Sequence, residues 1–167
     1  IENYAELKSF LMDQGVPFTS ETDTEVVAQL IEYFCEQDQV DILEAVGRCL
    51  RRIEGAYALG ILCADAPDQL IAVRKDSPLI LGYGEGCSFL ASDVTAIIRH
   101  TRSVSYMDDG EVAVLTREGI QCYNHLMQPI EKEICHVDWE IDAAEKGGYE
   151  HFMFKEIMEQ PEALRRC

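Results

Sequence analysis

The sequence predicts an α+β layered domain on three observations. Apolar residues recur at helical spacing from Tyr4 to Ile53, short strand-like runs separated by turn residues fill Tyr57 to Tyr123, and a last helical pattern follows from Tyr149. Tyr4, Leu7, Phe10 and Leu11 mark the first helix, with Asn3 placed to cap its start and Gly15 to end it. An extended piece through Pro17 and Phe18 leads to Thr22-x-x-Glu25, which reads as a capping box ahead of a face of Val26, Val27, Leu30, Ile31 and Phe34. Asp41 is positioned to cap a third helix, in which Ile42, Leu43, Val46, Cys49, Leu50 and Ile53 keep the spacing until Gly55.

After Gly55 the period changes. Tyr57 to Ala64 is a continuous apolar run, short for a helix and rich in strand formers, and predicts a buried strand. Leu70–Val73, Leu79–Leu81, Phe89–Ala91, Val104–Met107, Glu111–Leu115 and Ile120–Tyr123 follow as short strands. Turn signals at Gly82–Gly86, Asp108-Asp109-Gly110 and Glu118-Gly119 separate several of them, and strands joined by tight turns must be antiparallel. Asp93 to Arg99 predicts a short helix between strands, Gln128 to Gly148 a long polar loop, and Tyr149 to Gln160 a final helix stopped by Pro161.

The 167 residues fit one domain, and a hydrophobic content of 47% suffices for a sizeable core. Fourteen basic against 31 acidic residues give a net charge of −17, which argues against nucleic acid and anionic membranes as partners. Seven cysteines, an odd number without a Cys-x-x-Cys pair, fit neither a zinc site nor a disulfide framework and suggest a reducing, cytoplasmic compartment. No apolar stretch approaches the ~20 residues that span a bilayer. A chain that starts at Ile1 without an initiator methionine reads as a fragment or a processed product.

Most candidates for chemistry have plainer roles. Gly82-x-Gly84-x-Gly86 resembles a phosphate cradle in composition, but it leads into another strand and carries Glu85, so a hairpin turn is the preferred reading. His100, His125, His136 and His151 share no metal-ligand spacing. Ser92-Asp93 lacks a Gly-x-Ser-x-Gly elbow and is better placed to cap the helix that follows, while Lys155 and Glu156 read as a solvated helix face. Asp23 is different. At a helix start it compensates the dipole or caps, yet an ionised carboxylate has oxygens enough to hold an ammonium ligand as well.

Ile1-Glu2-Asn3-Tyr4, Ser20-Glu21-Thr22-Asp23-Thr24-Glu25 and Lys155-Glu156-Ile157-x-Glu159-Gln160-Pro161 resemble three stretches of the glutamine–fructose-6-phosphate aminotransferase (isomerizing) family, also called glucosamine-6-phosphate synthases. Arg52-x-x-x-Gly55-Ala56-Tyr57, Ser77-Pro78-Leu79 and Ala91-Ser92-Asp93 are similar too, so the likeness runs from Ile1 to about Arg166. The resemblance implies an N-terminal-nucleophile hydrolase-like fold with antiparallel sheets between helical layers, incomplete at its N-terminus. Residues 1–167 would be the larger, C-terminal part of a type-2 glutamine amidotransferase (glutaminase) domain. In that chemistry an N-terminal cysteine thiol attacks glutamine, and the ammonia passes to a second domain that isomerises and aminates fructose 6-phosphate, without a cofactor, in a homo-oligomeric enzyme. The family's cysteine, Asn-Gly pair and carboxylate-binding arginine all precede Ile1, so this fragment alone is expected to be inactive. Of the glutamine-contacting residues only the motif's aspartate falls here, at Asp23, as ligand of the α-ammonium. Two alternatives remain: another glutamine-dependent amidotransferase, such as the enzyme opening purine synthesis, and a non-catalytic regulatory module of the same fold.

Overall fold

In the computed structural model, which describes residues 1–138 and 147–166, alternation along two strands decides how the layers stack. Strands β2 (Ala66–Lys75) and β6 (Val112–Leu115) pair antiparallel with Ile71 opposite Val114, Ala72 opposite Ala113 and Val73 opposite Val112. Because successive side chains point to opposite faces, Ile71, Val73, Val112 and Val114 meet the helices, while Leu70, Ala72, Ala113 and Leu115 meet a second sheet. The first sheet has the order β1 (Tyr57–Cys63), β2, β6, β7 (Ile120–Tyr123), β8 (Pro129–Ile130). The second has the order β4 (Cys87–Ala91), β3 (Ile80–Gly84), β5 (Ser103–Tyr106), β9 (Cys135–His136). All pairings between these strands are antiparallel, as the tight turns require.

Helices α1 (Tyr4–Asp13), α2 (Glu25–Asp38) and α3 (Ile42–Leu50) cover the first sheet. Leu7 and Leu11 of α1, Val26, Val27, Leu30 and Ile31 of α2, and Ala45, Val46 and Cys49 of α3 bury against Tyr57, Ile71, Val73 and Val112. Most of these residues are the ones that helical spacing predicted, but Tyr4 is exposed rather than on the buried face, and α3 ends at Leu50 rather than continuing through Ile53 to Gly55. Between the sheets a row of small residues, Gly60 opposite Ala72, Ala72 opposite Ala113 and Ala113 opposite Cys122, receives Leu79, Leu81 and Met107 from the other side. A Cβ on Gly60 would lie 3.2 Å from Leu90 Cδ2, so close approach of the sheets depends on that row staying small. On the outer face of the second sheet, Val94, Ile97 and Ile98 pack with Ile80, Val104 and Val137. Gly82 permits this, since its Cβ would lie 2.9 Å from both Ile97 Cδ1 and Thr101 Cγ2.

Several local expectations are corrected. Asn3 precedes α1 without a side-chain cap bond, and its amide instead bridges to the 52–54 turn. The run at Tyr57 is not a strand buried on both faces but an edge strand with alternating burial, because its apolar side chains serve the helices on one side only. The short helix after Ser92 is a 3-10 turn, Val94–Ala96, and Asp93 caps it by accepting the Thr95 N–H at 2.8 Å. The polar stretch from Gln128 contains the two-residue strands β8 and β9. Lys132, 2.8 Å from Asp108 and 3.0 Å from Glu111, pins it to the turn before β6, and Ser105 Oγ donates to the Glu133 carbonyl at 2.7 Å. The remainder of that predicted loop, residues 139–146, lies outside the described residues. Helix α4 runs Phe152–Arg166 straight through Pro161. The ring removes one N–H donor, and on this exposed helix solvent can serve the freed carbonyl. Lys155, expected on a solvated face, is instead buried, with Nζ 3.7 Å from Glu159.

Candidate functional site

The loop from Thr19 to Thr24 is rich in short hydroxyl and carboxylate side chains, which compete with regular structure for backbone N–H groups. Here they close a network on Glu25, the first residue of α2. Glu25 Oε1 accepts from the Thr19 N–H at 2.7 Å and from Thr19 Oγ1 at 3.2 Å. Its Oε2 accepts from the Ser20 N–H at 2.7 Å and from Ser20 Oγ at 2.6 Å. Since Ser20 gives its proton to Glu25, its oxygen accepts from the Thr22 N–H at 3.3 Å and from the Thr22 hydroxyl at 2.8 Å. This corrects the expected capping box: Thr24 is the cap residue, it makes no side-chain cap bond, and Glu25 braces the loop before the helix.

These donors, the Ser20 hydroxyl foremost and then the Thr19 N–H, push the Glu25 carboxyl down to about 2 against an opposing cost of desolvation. The folded value is below the usual 4.5, so the loop is held at all pH values above 4.5 and is released as pH falls toward 2. A carboxyl-detected NMR titration should give Glu25 a midpoint near 2, with the Thr19 and Ser20 amides shifting at the same midpoint. A midpoint near 4.5 would mean that the brace is not formed in solution.

The second wall comes from the chain start. The Glu2 N–H donates to the Glu54 carbonyl at 2.9 Å, Asn3 Nδ2 donates to the Arg52 carbonyl at 2.8 Å, and the Glu54 N–H donates to Asn3 Oδ1 at 2.9 Å. Gly55, at φ +108°, leaves room for Glu2, whose Cγ would be 2.9 Å from an added Cβ. These contacts seat Ile1 beside the braced loop with its side chain buried in the helical core.

Asp23 faces that junction. Its Oδ2 lies against the backbone nitrogen of Ile1, and the side chain remains 44% exposed. Asp23 is thus not consumed by helix capping. It is a partly open carboxylate on a loop whose hydroxyls are already committed to one another.

Elsewhere the structure gives the plainer roles. Gly84 pairs with Cys87 across a turn with Gly86 at φ +66°, so the glycine cluster is a hairpin. His100 stacks on Phe89 with centroids 5.4 Å apart, His136 lies in β9, and His151 lies 3.8 Å from Glu150. No cluster of three His, Cys, Asp or Glu residues that could hold a metal occurs among the described residues. Two clefts of the described surface lie away from Asp23. One runs between Gly15–Pro17 and the Glu32–Tyr33 side of α2, another beside Cys35 and Cys63. Among the described residues no helix is long and apolar enough to cross a membrane.

A family model described as a glutamine amidotransferase domain matches residues 1–99. The chain is 52% identical to a glutamine–fructose-6-phosphate aminotransferase [isomerizing] of Clostridium acetobutylicum, over 99% of this chain and 27% of that protein. It is 47% identical to the enzyme of the same name from Thermotoga maritima, over 98% of this chain and 27% of the relative. The chain therefore spans about a quarter of the length of these relatives. Among solved structures, glutamine phosphoribosylpyrophosphate amidotransferase from B. subtilis, complexed with ADP and GMP, superposes with a TM-score of 0.65 at 25% identity, covering 76% of this chain and 28% of that one. The allosteric regulatory enzyme of purine biosynthesis does so at 0.61 and 24%, over 75% of this chain and 27% of that one, a likeness of fold alone. The expected α+β class, antiparallel sheets between helical layers, is borne out by this shared fold. Since the family model covers more than half of its residues, the chain belongs to the glutamine amidotransferase domain family.

Proposed function

We propose that residues 1–167 are the larger part of a glutaminase domain in a cytoplasmic, homo-oligomeric enzyme. That enzyme hydrolyses glutamine and delivers the ammonia to fructose 6-phosphate, making glucosamine 6-phosphate. The observation that carries the reading is the glutamine amidotransferase model over residues 1–99, and Asp23, a partly exposed carboxylate on a braced loop, is the residue we assign to glutamine's α-ammonium. Whole-chain identity of 52% to an enzyme named for this reaction supports the acceptor, against 25% to the phosphoribosylpyrophosphate amidotransferase.

On this reading Asp23 binds and orients glutamine through charge-assisted hydrogen bonds and takes no part in proton transfer. The thiol chemistry belongs to a nucleophile outside residues 1–167. Supplying the full-length gene product with glutamine and either fructose 6-phosphate or phosphoribosyl pyrophosphate tests the assignment. Glucosamine 6-phosphate formed only with the first acceptor is the expected result. Amination of the second acceptor instead, or no amination of either sugar, overturns it.

A further inference from the structure

The Thr19–Glu25 network has a shape that helix capping does not explain. A cap satisfies the first N–H groups of its own helix, whereas Glu25 turns away from α2 and gathers four donors from the two residues at the far side of the loop. The line of contacts continues from Glu25 to Ser20 and from Ser20 to both the N–H and the hydroxyl of Thr22, the residue bonded to Asp23. From the other side Asp23 is followed directly by Thr24 and the start of α2. The peptide that carries the Asp23 carboxylate is therefore fixed at both ends. The donors can be satisfied only by a group with two acceptor oxygens, since an amide would aim an NH2 at two of them.

We propose that Glu25 is a positioning residue for glutamine, holding the Ser20–Asp23 loop so that the Asp23 carboxylate meets the α-ammonium. This rests on the assignment of Asp23 as the glutamine ligand. A brace of this kind acts on the one subsite that recognises the ammonium. Its loss should thus be felt by ligands that carry an α-ammonium and not by those that lack it.

The test uses the full-length enzyme and two inhibitors of glutamine hydrolysis, L-glutamate and glutarate, which differ by the α-ammonium alone. The selectivity for glutamate over glutarate is measured in Glu25→Gln, in Ser20→Ala and in Asp23→Asn. Glu25→Gln is expected to lose about ten-fold of that selectivity, on the scale of one lost charge-assisted contact, and to raise the KM for glutamine with kcat changed little. Ser20→Ala, which removes one donor and keeps the charge, should lose a smaller part in the same direction and serves should the first variant fail to fold. In the double variant with Asp23→Asn, Glu25→Gln should add nothing further to the loss of selectivity.

Equal weakening of glutamate and glutarate, or a fall in kcat alone, would make Glu25 a merely structural residue and overturn the proposal. If Asp23→Asn abolishes the selectivity while Glu25→Gln and Ser20→Ala leave it intact, the brace fails and Asp23 stands. Should Asp23→Asn itself leave the selectivity unchanged, the assignment of Asp23 fails, and the proposal with it.

Discussion

If Asp23 holds glutamine's α-ammonium as proposed, replacing it with Asn in the full-length protein should raise the KM for glutamine by about ten- to a hundred-fold and leave kcat within about threefold. The substitution keeps the shape and one acceptor oxygen of the side chain but removes its charge, so a bound α-ammonium loses its counter-charge at a partly open site. The effect should fall on binding, because the ammonium is separated by the substrate's own carbon chain from the amide where bonds break. A contact made equally in the ground and transition states moves KM and spares kcat. Fold damage is a poor competing explanation, since Thr24 rather than Asp23 is the cap residue of α2 and Asn is tolerated at helix starts. Initial rates of ammonia release against glutamine concentration decide the matter. An unchanged KM would remove Asp23 from the substrate site, and a fall in kcat at constant KM would assign it a role in the chemistry instead.

How much of this was legible in the sequence depends on the length of the repeating pattern. Leu7 and Leu11, the Val26–Ile31 stripe and Val46 with Cys49 repeat over several turns, so the three helices and their buried faces could be read directly. The strands from Tyr57 to Tyr123 were readable because turn residues bound them, although Tyr57–Cys63 was mistaken for a strand buried on both faces when it is an edge strand. Strands β8 and β9, two residues each, are too short to carry any period.

The site was less legible. Thr22-x-x-Glu25 satisfies the capping-box pattern whichever way the glutamate turns, and only the structure shows it turning toward Thr19 and Ser20. Asp23 stood out through family resemblance, because any acidic residue at a helix start has an adequate role as dipole compensation. Its nearness to Ile1 depends on Glu2, Asn3, Glu54 and Gly55 meeting across some fifty residues of chain, which no local pattern encodes. Lys155 is a comparable case: its place among charged neighbours suggested exposure, whereas the folded chain covers its stem.

The largest effect on stability should come from the space between the sheets. Leu81→Ala is expected to destabilise the domain by about 2–5 kcal/mol and to lower its melting transition by roughly 5–15 °C. Leu81 is fully buried on β3, between Leu90 of β4 and Ser105 of β5 in register, and it faces Ala72, Ala113, Leu115 and Cys122 of the other sheet. Truncation opens a cavity there that alanines on the opposite wall cannot fill, and both backbones are held by ladders on either side, so collapse is limited. The same geometry predicts its own rescue. Ala113→Leu alone should overpack the row and cost about 1–3 kcal/mol, yet combined with Leu81→Ala it should recover part of the loss. Calorimetry of the four proteins in the full-length background measures that coupling. Strict additivity would mean that Leu81 and Ala113 do not share one space, and that the two sheets meet in a different register from the one described by the row of small residues.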